Sequence, residues 1–173
     1  MYMKTLPHLN IGNANLGIEG CPGSKFCTLS STSDLDQDIL VLKKANFHTV
    51  VCLIDDEEIQ RYSPNLLQAY KRYGIELLRY VIEDFYIPQN IESFDKFVDT
   101  IITKLNSKNN VFVHCLAGLG RSGLVLASVL IKYYNDISYQ EAISKVRSIR
   151  NGAIQNIEQE CFVKDYYFCC RGQ

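Results

Sequence analysis

The sequence predicts one α/β domain: a central, mainly parallel sheet of about five strands with helices on both faces. Three observations carry this expectation. Short, nearly continuous apolar runs, among them Thr49 to Ile54 (TVVCLI) and Asn110 to His114 (NVFVH), read as strands buried on both faces. Segments with helical spacing lie between them, several opened by a capping residue. Strands that alternate with helices in this way imply parallel crossovers. The 173 residues are enough for one full domain and short for two, so residues 1–173 are read as a single unit.

Taken in order, the first thirty residues are rich in turn formers, including Gly12, Asn13, Gly17, Gly20, Pro22 and Gly23, and suggest short strands joined by tight turns. Ser33 or Asp34 caps a helix running through Leu35, Ile39 and Leu42. The strand at 49–54 follows, then an acidic break from Asp55 to Glu58. Pro64 opens a helix that stops at Gly74. Ile75 to Ile82 reads as a strand. Ser93 is read as the cap of a helix that lines Phe94, Phe97, Val98, Ile101 and Leu105 along one face. After the strand at 110–114 come a buried helix from Ser122 to Tyr134, a capping box Ser138-x-x-Glu141 opening another, and a last helix from Ile157 to about Phe168.

Composition removes several functions. Lys plus Arg number 18 against 19 Asp plus Glu, so a general nucleic-acid binder is not expected. The longest strongly apolar stretch, Leu124 to Ile131, is too short to span a bilayer, and no signal peptide is expected at Met1 to Lys4, which Pro7, His8 and Asn10 follow rather than an apolar core. The seven cysteines are odd in number and lack paired metal-ligand spacing, which favours a reducing, cytoplasmic compartment. No metal or other cofactor is expected, and a monomer is.

The chemistry is concentrated in His114-Cys115-Leu116-Ala117-Gly118-Leu119-Gly120-Arg121-Ser122, between a hydrophobic strand and a hydrophobic helix. Ligands of α/β sheets bind beyond the carboxyl ends of the strands, where a helix N-terminus offers free N–H groups. Gly118 and Gly120 let residues 116–120 curl into a nest of inward amides, and Arg121 adds a planar, permanently charged fork. A tetrahedral oxyanion such as phosphate suits that nest. At Cys115 the helix dipole, the amides and the Arg121 charge all favour a thiolate, which makes it a nucleophile. Ser122 is placed to hydrogen-bond the sulfur and ease its departure. His114 alternates away from Cys115 along the strand, so it is read as an orienting residue rather than a general base.

The run His114-Cys115-x-x-Gly118-x-x-Arg121-Ser122 resembles the HCxxGxxRS signature, the CX5R P-loop, of the cysteine-based protein tyrosine and dual-specificity phosphatases. Gly20-Cys21-Pro22-Gly23 with Lys25-Phe26, the loop's GLGRS form, and Gly152-Ala153-Ile154-Gln155 with Glu158-Gln159 resemble the cyclin-dependent-kinase-associated phosphatase (cyclin-dependent kinase inhibitor 3-like) branch. The likeness runs from about residue 17 to 165. It implies a protein tyrosine phosphatase-like fold and metal-independent hydrolysis of phosphotyrosine, with phosphoserine and phosphothreonine, through a phosphocysteine. It also implies a general acid on a loop some thirty residues before the cysteine, where Asp84 stands, with Glu83 next to it as the alternative; Asp55 and Asp56 also follow a strand. Gln155 is implied to place the attacking water, with Gln159 a weaker candidate, and a protein kinase is implied as partner.

Arg147 and Arg150 are read as contacts to phosphate or to a neighbouring acidic residue, or, as is commoner for such arginines, as the solvated surface of a helix. Cys52, ending a neighbouring strand, is the candidate for trapping oxidised Cys115 as a disulfide. The uncharged Leu116, Ala117 and Leu119 favour a phosphoprotein over a phosphoinositide or an RNA 5′ end. A phosphopeptide-binding module without turnover stays open as an alternative, although Cys115, Arg121 and Asp84 are all present. A sulfurtransferase or arsenate reductase, also built on a loop cysteine, has no comparable need for Asp84.

Overall fold

The computed structural model describes residues 6–172, so the reading of Met1 to Lys4 lies outside the described residues. Five strands and seven helices follow one another along the described chain. They are β1 (His8–Ile11), β2 (Ala14–Glu19), α1 (Leu35–Lys44), β3 (Phe47–Cys52), α2 (Asp56–Tyr62), α3 (Leu66–Arg72), β4 (Glu76–Arg79), α4 (Ile91–Asn106), β5 (Asn110–His114), α5 (Gly120–Tyr133), α6 (Tyr139–Ile149) and α7 (Ile157–Arg171). The sheet order is β1-β2-β5-β3-β4, with β1 antiparallel to β2 and every other pairing parallel. The α/β, mainly parallel architecture is the one the sequence predicts.

β5 lies at the centre of the sheet. Its alternation sends Phe112 and His114 to one face, where the His114 ring stacks on Phe112 and meets Tyr70 of α3. Val111 and Val113 alternate to the other. α1 and α3 lie against β3 and β4; α4 and α5 pack on β2 and β5, and α6 and α7 pack on α5. α5 is buried from Gly120 through Ile131, and that enclosure explains why its sequence is apolar on every side. α4 buries only Phe94, Val98, Ile101 and Leu105, each stabilising the fold by about 1.5–3 kcal/mol relative to exposure.

The boundaries depart from the sequence reading where side-chain capping decides them. Asp34 caps α1. Asn90, rather than Ser93, caps α4, its side chain accepting from Ser93 N at 2.7 Å. Residues 55–58 are no break: Asp55 caps α2, and its carboxylate and that of Glu58 form a capping box. Acidic residues in a first turn stabilise a helix N-terminus, and a seven-residue helix is too short to show apolar periodicity. The strand read over 75–82 is regular only over β4. Beyond it Tyr80 and Ile82 still donate backbone N–H groups to Cys52 O and Leu53 O, carrying the chain along β3 towards Asp84. The Ser138–Glu141 capping box forms, and α7 runs on to Arg171.

Candidate active site

Cys115 follows the last residue of β5, buried with only 3% of its surface exposed, and α5 begins five residues later at Gly120. No side chain caps α5, so its leading N–H groups remain directed at the loop. Gly118 is required by its conformation: its φ is +65°, and a Cβ there would lie 2.2 Å from the Glu19 carbonyl group. At Gly120 a Cβ would meet the side-chain amides of Gln155 and Gln159, within 2.7–2.9 Å. Both glutamines therefore reach the loop, Gln159 buried and Gln155 exposed.

The nest is held from behind. Arg150 donates to Ala117 O at 2.9 Å and Gly118 O at 3.0 Å, and pairs with the buried Glu19 carboxylate. Glu19 in turn accepts from Gly20 N at 2.8 Å. By binding both carbonyls, Arg150 fixes the backbone of the loop between β5 and α5. Of the readings open for Arg147 and Arg150, contact with acidic residues is the observed one: Arg147 pairs with Glu160 and donates to Ala153 O and Ile154 O.

Arg121 is 1% exposed. Its Nη1 and Nη2 donate to the two Glu58 oxygens, each at 2.8 Å, and Nη1 also donates to Ile82 O at 3.0 Å. Nη2 stands 2.9 Å from Asp84 Oδ1. Burial works against the guanidinium charge, but Glu58, the Cys115 thiol and Asp84 outweigh it and hold its pKa above the ordinary arginine range. Two polar atoms at the loop, Arg121 Nε and Ser122 Oγ, are buried without a hydrogen-bond partner among the described residues. Groups of this kind are costly unless a ligand uses them. Glu58 was hidden in sequence by the apparent acidic break; the Asp55-x-x-Glu58 capping box directly after β3 is the signal that marks it.

Asp84 lies at the loop's edge, bonded through Oδ1 to Phe85 N at 3.1 Å, whereas Glu83 is exposed and makes no ion pair among the described residues. Asp55 and Asp56 belong to α2, Asp55 as its cap and Asp56 paired with Arg79. The Asp84 loop is latched to α7, since Asn156 donates to Phe85 O at 2.8 Å and Gln159 to Tyr86 O at 3.4 Å. Cys52 is a buried free thiol in register with His114, its pKa pushed up to about 11 chiefly by burial.

His114 is fully buried. Its Nδ1–H donates to Cys115 O at 3.0 Å, which leaves Nε2 to accept from the Tyr70 hydroxyl at 2.9 Å. The ring thus fixes the backbone at Cys115. Burial first, then the Arg121 and Arg79 charges, push its pKa down to about 4 against a Cys115 hydrogen bond that opposes them. Above the unfolded value of about 6.5 the ring is neutral in both states, and its contribution to stability is fully present. As pH falls from about 6.5 to about 4, the unfolded chain takes up a proton that the native ring refuses, and stability is lost. Urea unfolding of wild type between pH 7 and pH 4 is therefore expected to lose about 3 kcal/mol more than His114→Gln over the same window; equal losses would remove His114 from this role.

The comparisons with known proteins agree with this geometry. The profile of the family "Dual specificity phosphatase, catalytic domain" matches residues 30–167. Cyclin-dependent kinase inhibitor 3 of Rattus norvegicus is 33% identical over 153 residues, covering 87% of this chain and 71% of that protein. The PRL-1 phosphatase of Drosophila melanogaster is 31% identical over 148 residues, covering 83% and 78%. Among solved structures, kinase associated phosphatase with serine in place of its catalytic-site cysteine superposes with a TM-score of 0.85 at 27% identity, covering 98% of this chain and 97% of that one. The buried nest with its arginine fork, and a family match over most of the chain, place this protein in the dual-specificity phosphatase catalytic-domain family.

Proposed function

We propose that the protein is a phosphoprotein phosphatase that works through a phosphocysteine. One observation carries the reading: on the loop that follows Cys115, the buried Arg121 Nε and Ser122 Oγ have no hydrogen-bond partner among the described residues. The Cys115 thiolate attacks phosphorus, an S–P bond forms, and the P–O bond to the substrate breaks. Asp84 gives its proton to the departing oxygen. In the second step Asp84 takes a proton from water, the water oxygen bonds to phosphorus, and the thiolate leaves with Ser122 donating to it. Gln155, held against Gly120, is suited to orienting that water. The loop amides and Arg121 stabilise the equatorial oxygens throughout.

Rapid quenching with a labelled aryl phosphate tests this. Turnover without added metal, with label recovered on the peptide containing Cys115, is the expected result; turnover without a covalent intermediate would overturn the mechanism. Asp84→Asn is expected to lower turnover by about 10²–10⁴-fold for an alkyl phosphate and far less for a nitrophenyl ester, whose oxygen leaves without a proton. A uniform loss across leaving groups would assign Asp84 to positioning instead.

The relatives' names point to kinases, and a phosphorylated protein kinase is the partner we favour. All seven cysteines are free thiols, which supports a reducing, cytoplasmic compartment. No described helix is long and apolar enough to cross a membrane.

A further inference from the structure

Asp84 is a wall shared by two grooves of opposite character. One, a cavity of ≈ 310 Å³, is lined by Asp55, Glu57, Glu58, Glu83 and Asp84 with a single cation, Arg61, and reaches the phosphate loop at Leu116. Asp55 is engaged as a helix cap, and Glu58 and Asp84 are held by Arg121. Glu57 and Glu83 make no ion pair among the described residues and face solvent. The other groove is lined by Phe85, Tyr86 and Ile157 with Asn156 and Glu158. Its apolar side chains are 61%, 54% and 78% exposed, three of the four large hydrophobics that stand exposed among the described residues. Such clustering beside a site is unusual for a surface without a partner. The latch of Asn156 and Gln159 onto the Phe85 and Tyr86 carbonyls holds this shelf in shape.

Resting on the phosphatase reading, we infer that the substrate is a phosphorylated polypeptide segment with a Lys or Arg on one side of the phosphoresidue and an apolar or aromatic residue on the other. The phosphate enters the loop, where the buried Arg121 Nε and Ser122 Oγ await hydrogen-bond partners. The basic residue lies in the acidic groove, and the apolar one covers Phe85, Tyr86 and Ile157. Charge decides against the competing ligands. A phosphoinositide or a nucleic-acid end brings further negative charge to a rim where Glu57 and Glu83 make no ion pair among the described residues and Arg61 is the one cation, whereas a basic peptide neutralises it.

The test compares phosphotyrosine peptides that differ only in Lys against Glu on one flank and Leu against Ser on the other, made in both chain directions, with a short-chain phosphoinositide and a simple aryl phosphate alongside. At low ionic strength kcat/KM for the Lys peptide is expected to exceed that for the Glu peptide on the order of ten-fold, and the ratio to shrink at high salt. Glu57→Lys should collapse the Lys-to-Glu ratio, and Ile157→Ser the Leu-to-Ser ratio; a change common to both peptides of a pair cancels. Equal rates for the Lys and Glu peptides, a preference for Glu, or faster turnover of the phosphoinositide overturns the inference while aryl phosphate turnover upholds the phosphatase reading. Failure to turn over any of them defeats the phosphatase reading, and titrating the same peptides onto Cys115→Ser still decides the preference through binding.

Discussion

Replacing Cys115 by serine is expected to lower aryl phosphate turnover on the order of 10⁴-fold or more, as loss of a nucleophile does elsewhere. A serine hydroxyl has no anionic population near neutral pH and needs a general base. The nearest imidazole cannot act as one. His114 spends Nδ1–H on the carbonyl of residue 115 and Nε2 on the Tyr70 hydroxyl, and its ring is buried among Phe112 and Tyr70. In the proposed site the anion is held by loop amides, by Arg121 and by the start of α5, and serine leaves those groups in place. Phosphopeptide binding by Cys115→Ser should therefore stay within a few-fold of wild type, measured by titration calorimetry under reducing conditions. Residual turnover within ten-fold of wild type would mean that another group attacks phosphorus.

This asymmetry between chemistry and binding parallels what was legible in the sequence. Cys115, the glycine loop and Arg121 lie within seven consecutive residues, flanked by a strand and a helix whose patterns are strong, so local reasoning reaches them. The supports come from afar. Glu58 is 63 residues before Arg121, on a helix of seven residues that shows only charges to a reader of periodicity. Arg150 and Glu19 are 131 residues apart, and they meet only because β2 pairs with β5, while the turn after α6 brings Arg150 against the loop. Asn90 stands in place of Ser93 as the cap of α4; both residue types cap well, so the sequence alone does not choose between them. What was missed is long-range pairing between polar groups, each ordinary on its own.

Arg121→Lys keeps the charge, yet we expect it to lower kcat/KM for aryl phosphate by about 10³–10⁵-fold, the range an arginine clamp commands in phosphoryl transfer. The guanidinium does several jobs through a rigid plane. Two of its nitrogens hold Glu58 in a bidentate pair, one of them also reaches Ile82 O, and the other meets Asp84, while Nε remains for a phosphate oxygen. A lysine ammonium has one nitrogen and cannot grip Glu58 and an equatorial oxygen from the same fixed plane. The single ammonium can pair with Glu58 or with the phosphate, and when it turns to the phosphate the Glu58 carboxylate is left to repel the incoming dianion. The double variant Arg121→Lys with Glu58→Gln separates these effects. Removing the stranded carboxylate should recover phosphate affinity, read as KM, but not the transition-state clamp, read as kcat. Recovery of kcat to within ten-fold of wild type would show that Arg121 serves chiefly to neutralise Glu58. A kcat that stays low while KM improves would place the fork itself on the transferring phosphoryl group.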